Sequence, residues 1–229
     1  MTASALAASL QRIGQVQAHL SGPLSVLLAL LAAAAAFVPL VWAVTRHITV
    51  IAHEGAHATM ASAVGRKVDG IKFKMNADGA TNFSGSAGGN TGFFAIAFVG
   101  YLGPSAFGVG AAELIRIGYI VAVLWIGLAG LVATMLTLRR SFGIVTVFAA
   151  LILVFVVAAV ATVEVQVVTA YAITWFLLMS GVQIIRIRGK DADDAGKLQG
   201  MTKIPAGFWS RTWLAGSIVA LAFGGILLL

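Results

Sequence analysis

Val50-Ile51-Ala52-His53-Glu54-Gly55-Ala56-His57-Ala58-Thr59-Met60 is a run of apolar and small residues interrupted by two histidines and one glutamate. Its flanks are apolar enough for a helix in lipid. On such a helix, residues four apart share a face, so His53 and His57 present two imidazoles in one direction. Ionisable groups at membrane depth are costly and are retained mainly for function. One stretch therefore marks both a membrane span and a candidate site.

The rest of the chain agrees with that solvent. Of its 229 residues, 60% are hydrophobic and only 10% are charged, with a mean hydropathy of +0.99. Soluble domains carry about 25% charged residues, so this chain cannot cover a globular surface with polar groups. The net charge is +7. No basic patch is interleaved with aromatics, which argues against nucleic acid; the Lys and Arg side chains suit anionic lipid headgroups instead. There are no cysteines, so disulfides and thiolate metal sites are excluded.

A spanning helix needs about 20 apolar residues. Such stretches occur at 22–40, 46–64, 93–115, 118–138, 142–163, 165–185 and 206–229. Pro23 to Val64 is too long for one span, and Pro39 or the Thr45-Arg46-His47 step marks the turn; a single kinked helix is the alternative. The expected fold is an all-α polytopic membrane protein of about seven transmembrane helices, forming one membrane domain over 1–229. With the N-terminus inside, every Lys and Arg except Arg46 and Arg116 falls on the cytoplasmic side, as the positive-inside rule requires.

Three segments are more polar. Residues 1–21 include an amphipathic stretch (Leu6, Leu10, Ile13 and Val16 against Gln11, Arg12 and Gln15) that can lie on the membrane surface; a cleaved signal peptide is the alternative. Residues 66–92 alternate at Val68, Ile71, Phe73 and Met75, turn at Asn76-Ala77-Asp78-Gly79, and return through Thr81-Asn82-Phe83-Ser84. That pattern predicts a small β-hairpin inserted after the His-Glu helix, followed by a flexible Gly/Ser/Asn stretch from Gly85 to Gly92. Residues 186–205 read as a cytoplasmic loop.

The chemistry at His53-Glu54-Gly55-Ala56-His57 is specific. Two imidazoles one helical turn apart can grip Zn²⁺, and an adjacent Glu reaches a water beside the ion as general base. Catalytic zinc takes three protein ligands. His19 and His47 are badly placed, and Glu113 and Glu164 fall near the outer ends of their spans. Asp191, Asp193 and Asp194 lie on the right side, and residue chemistry does not choose among them. The motif lies about 15 Å below the cytoplasmic edge, at 1.5 Å per residue before Arg66, so water must reach it through a cavity.

The motif helix, the hairpin and Gly100-Tyr101-Leu102-Gly103-Pro104 together resemble the site-2-protease family of intramembrane zinc metalloproteases, in its small bacterial branch without PDZ or CBS domains. The late segment Asp194-Ala195-Gly196-Lys197-Leu198, with Thr202-Lys203-Ile204-Pro205 and Trp209, is similar to that branch's second metal segment. The resemblance covers 40–110 and 190–213. It implies zinc held by His53, His57 and Asp194, with Glu54 catalytic. It also implies a peptide substrate contacted at Phe73, Asn82, Gly103 and Pro104, the hairpin offering a strand edge to an unwound segment. The implied partner is a membrane-protein substrate, cut in or near a transmembrane helix during regulated intramembrane proteolysis. The implied setting is a bacterial-type cytoplasmic membrane with the N-terminus cytoplasmic. One departure stands out. Family members have Asn three residues after the Gly-Pro pair, where this chain has Phe107. The competing reading is a non-catalytic zinc-binding or degenerate protein acting as scaffold or partner subunit. A transporter would need broken helices in related halves, and no repeat is evident.

Overall fold

The computed structural model describes residues 3–139, 142–189 and 192–229. Its elements run in chain order: α1 (Ala3–Arg12), α2 (Gly22–Phe37), α3 (Pro39–Ala63), β1 (Lys67–Phe73), β2 (Gly79–Ser84), α4 (Gly89–Arg116), α5 (Ile120–Thr137), α6 (Gly143–Val160), α7 (Val163–Arg188), α8 (Asp193–Thr202) and α9 (Ala206–Leu228).

The long apolar run breaks at Val38. A residue before proline is pushed out of the α region, and Val38 is extended at φ −78°, ψ 117°. Pro39 then opens α3 at a position where its missing N–H costs nothing. The two helices are bent by 95°. Thr45 Oγ1 donates to the Ala35 carbonyl at 2.7 Å, which satisfies an acceptor that the end of α2 leaves free. The turn therefore falls at Pro39 and not at the Thr45-Arg46-His47 step.

The seven-span count is not confirmed. Among the described residues, α4, α5, α6, α7 and α9 are each long and apolar enough to cross a membrane, and the bent α2–α3 pair makes a sixth candidate. The expected seventh came from splitting that pair into two crossings. Contacts at the two ends of the bundle accord with a single crossing. Ser25, near the start of α2, donates to the Leu228 carbonyl at the end of α9. The chain leaving α3 enters the hairpin at the other end of the bundle. An even number of crossings returns both chain ends to one end of the bundle, as seen.

The N-terminal segment moves accordingly. Arg12 reaches Gln166 Oε1 at 3.3 Å, and Gln17 Oε1 accepts from the Val121 N–H at 2.9 Å. Both partners lie at the α4–α5 and α6–α7 turns, opposite the hairpin. The expectation that Arg12 shares the hairpin's face is therefore overturned. Arg46 changes places with it, since the neighbouring His47 ring lies 5.9 Å from Phe142 at the hairpin end.

The hairpin forms as its alternation requires. β1 and β2 pair antiparallel with Phe73 opposite Gly79 and Ile71 opposite Thr81, and a bulge interrupts Val68/Gly70. Asn76 Oδ1 accepts from the Asp78 N–H at 3.2 Å, and Ala77 takes a positive φ of 57°. The outer edge of β1 is covered, because Ile71 bridges to Leu138 and the Arg139 N–H donates to the Ile71 carbonyl at 2.9 Å. The glycine-rich stretch is shorter than expected. α4 already starts at Gly89, and Arg66 ties the turn by donating to the Ala87 and Gly89 carbonyls at 3.0 and 2.8 Å.

Residues 186–205 are not simply a loop. α7 continues to Arg188, and α8 forms with Asp193 and Asp194 in its first turn, where carboxylates suit the helix dipole. Lys203 in a left-handed conformation and Pro205 end α8. In the bundle centre, α4 packs against α3, α7 and α9. Small residues allow this approach: an added β-carbon on Gly103 would strike Ala56, and one on Gly181 would strike Ser105.

Candidate metal centre

α3 brings His53 and His57 to its face toward α4, and α8 brings Asp194 up beneath them. His57 Nε2 lies 3.2 Å from His53 Nε2 and 3.0 Å from Asp194 Oδ2. His53 Nε2 lies 3.3 Å from the same oxygen. Zinc bonds of 2.0–2.1 Å in a tetrahedron give ligand-to-ligand edges of about 3.3–3.4 Å, so the triangle has the size that zinc requires. All three residues are buried, and their ligand atoms lie within 4.8 Å of one another.

The protonation pattern also fits a cation. His57 Nδ1 contacts the Ile96 carbonyl at 2.7 Å. A carbonyl only accepts, so Nδ1 carries the proton and Nε2 of the neutral ring presents its lone pair to the cluster. Such a lone pair facing a carboxylate oxygen at 3.0 Å is repulsive unless a cation lies between them. Lys197 Nζ donates to Asp194 Oδ1 at 2.8 Å, which leaves Oδ2 for the histidines.

Glu54 is almost wholly buried, at 3% exposure. Its Oε1 lies 3.9 Å from His53 Nε2, and its Oε2 accepts from Thr81 Oγ1 at 2.6 Å. Gly100 faces the imidazoles, where a β-carbon would overlap both His57 and His53. Pro104, one turn on, carries no N–H, so the Gly100 carbonyl loses its helical donor. The Tyr101 ring packs edge-on against His53 at 4.5 Å and stacks on Trp213 at 4.9 Å.

A cavity of about 420 Å³ opens from this cluster, bounded by α3, β2, α4, the end of α7 and the start of α8. Of the residues expected to touch substrate, Asn82 lines it. Phe73 does not; it is 5% exposed and lies against Gly143. Gly103 and Pro104 are buried in the α3–α4 packing. Asp193 lines the cavity without joining the metal cluster, and Asp191 lies outside the described residues. Phe107 is 41% exposed, away from the cavity.

Sequence reading missed Thr81 and Gly79. Both lie on the inward face of β2, where the burial pattern alternates from Gly79. The buried apolar residues Ile71 and Phe73 mark that face, and register transfers it to their partners Thr81 and Gly79. The resemblance implies Asn82, whereas the strand period points to its neighbour Thr81.

A family model described as Peptidase M50B-like matches residues 26–224. Neither the curated proteins nor the solved structures offer a significant match.

Proposed function

Because the chain belongs to the Peptidase M50B-like family, a family of metalloproteases, we propose that it is an intramembrane zinc endopeptidase cutting membrane-protein substrates in or near their transmembrane segments. The supporting observation is the convergence of His53 Nε2, His57 Nε2 and Asp194 Oδ2, with the Glu54 carboxylate alongside, inside an apolar bundle.

In this reading those three atoms hold Zn²⁺. Zinc held there supplies Lewis-acid polarisation of a peptide carbonyl and of water. Glu54 Oε1 takes the proton of the attacking water and delivers it to the leaving amine. Ile96 and Lys197 keep His57 and Asp194 oriented. The buried walls around the carboxylate limit water to the cavity.

The substrate must be extended, since a helix hides its carbonyls in internal hydrogen bonds. Strand addition has one open edge here. β1 is covered by Leu138 and Arg139, whereas Gly79 to Phe83 of β2 line the cavity. A transmembrane helix unwound at one end would pair there and bring a carbonyl towards the cluster. Such cleavage suits regulated intramembrane proteolysis in a bacterial-type cytoplasmic membrane.

Lys and Arg set the orientation. Arg12 and Arg116 lie at the end away from the hairpin, whereas Arg66, Lys67, Lys72, Lys74, Arg139, Arg186 and Arg188 lie at the hairpin end. The positive-inside rule then places the hairpin and cavity mouth in the cytoplasm and the N-terminal segment outside. Since the chain has no cysteine, single cysteines at Gln15 and Ser86 can test this with a membrane-impermeant maleimide on intact cells. Gln15→Cys should label and Ser86→Cys should not; the reverse pattern overturns the orientation.

The decisive test is Glu54→Gln beside wild type. Bound zinc should persist, and cleavage of a transmembrane reporter should fall by about three orders of magnitude or more, as for loss of an essential proton acceptor. Cleavage retained by Glu54→Gln removes Glu54 from the mechanism. Wild type that holds zinc but cleaves nothing favours the scaffold or partner-subunit reading.

A further inference from the structure

Glu54 follows His53 directly, and successive helical side chains point about 100° apart. A carboxylate in that position does not face the ligand cluster by default. It needs an anchor from another element.

β2 supplies one. Thr81 Oγ1 lies 2.6 Å from Glu54 Oε2, a length typical of a hydroxyl donating to an ionised carboxylate. The same hydroxyl is 3.2 Å from the Glu54 main-chain carbonyl. It carries one proton, and the shorter contact to the charged oxygen takes it. With Oε2 held, Oε1 is the oxygen turned to the cluster, 3.9 Å from His53 Nε2. Two residues earlier on the same strand face, Gly79 lies so close to this carboxylate that a β-carbon would overlap it.

The strand is firmly seated. Thr81 is paired with Ile71, which is fully buried, and Gly79 with Phe73, which is buried against Gly143. The register that buries these two apolar side chains also delivers the Thr81 hydroxyl and the bare Gly79 backbone to Glu54. A shift by one residue would turn the whole set away.

We propose that Thr81 is a positioning residue for Glu54: its hydroxyl pins one carboxylate oxygen so that the other faces the reacting groups, and Gly79 leaves the space for this. The proposal rests on Glu54 being the proton acceptor.

The test measures zinc content and the kcat and KM for cleavage of a transmembrane reporter, using full-length wild type, Thr81→Val, Thr81→Ser, Gly79→Ala and Glu54→Gln. Thr81→Val keeps the shape and removes the donor. It should lower kcat roughly 10–100-fold, the usual cost of losing an outer hydrogen-bond partner, with KM and bound zinc unchanged. Thr81→Ser should recover most of that loss. Gly79→Ala should lower kcat with zinc retained. If Glu54→Gln is inactive while Thr81→Val keeps wild-type kcat, the positioning role is wrong although the proton-acceptor reading stands. If Thr81→Val is impaired and Thr81→Ser no better, or if zinc is lost with kcat, the hydroxyl is structural and the proposal fails. An active Glu54→Gln overturns the underlying reading itself.

Discussion

Two polar clusters lie buried in this apolar bundle, at opposite ends. At the end away from the hairpin, Gln166 is fully buried and donates to the Ala158 carbonyl at 2.7 Å. Ser9 donates to the same carbonyl, Arg12 reaches the Gln166 oxygen at 3.3 Å, and Gln17 caps the start of α5 through Val121. Its donors meet acceptors. At the hairpin end, His53 Nε2, His57 Nε2 and Asp194 Oδ2 converge beside a cavity, and His53 Nδ1 has no partner among the described residues. Burying polar groups is costly in either place. One cluster offsets that cost with hydrogen bonds between its own members and holds the N-terminal segment to the bundle. The other gathers three side chains that could hold a cation.

This contrast can be broken. The largest expected effect is at Gly100, which touches no substrate in the proposed mechanism. Gly100→Ala should push the imidazoles apart and lower zinc affinity about 10–100-fold, in the range seen when the surroundings of metal ligands are disturbed. Titration of apoprotein with zinc checks this. Wild-type affinity in that variant would mean that the imidazole positions are not the ones described.

A smaller effect, on stability alone, is expected at the other cluster. Gln166→Leu removes one of the two donors to the Ala158 carbonyl, which keeps Ser9, and one of the acceptors of Arg12, which keeps the Ala161 carbonyl, and should lower stability by about 1 kcal/mol. Zinc content and cleavage per folded molecule should not change. A loss of zinc in Gln166→Leu would show that the two ends are coupled rather than separate.

The smallest effect sharpens the picture of the hairpin end. Asp78 pairs with Arg188, and that hydrogen bond holds the Asp78 carboxyl below the ordinary carboxylate range. A carboxylate with a lowered folded pKa stabilises the fold above its unfolded pKa and loses that contribution as pH falls through the folded value. The tether should therefore be complete above about pH 4 and weaken below it. Both partners are substantially solvent-exposed, so the gain is modest. Hydrogen exchange at Ala77 and Asp78 should speed up on acidification below that range in wild type, and Asp78→Asn should show fast exchange throughout. Equal exchange in both proteins at neutral pH would remove the tether from the account.

Much of this was legible beforehand, wherever the determining contact is local. The helical pitch puts His53 and His57 together, alternation marks the hairpin, and the turn residues Asn76 to Gly79 act as expected. Asp194 needed the resemblance, because Asp193 and Asp194 are chemically alike and only the placement of α8 under α3 separates them. Phe73 shows the opposite failure. An aromatic beside a presumed cleft reads equally well as a substrate contact or as core, and packing against Gly143 made it core.

The amino-acid sequence by itself determined a polytopic helical chain in lipid, since length and apolarity of segments are properties of contiguous residues. It also determined one His-Glu-x-x-His face, since that depends only on the 3.6-residue turn. Tertiary structure alone decided that α2 and α3 meet at 95°, that the N-terminal segment packs opposite the hairpin, and that Thr81 reaches Glu54. Each of these depends on how distant segments pack and on strand register, which no local periodicity encodes.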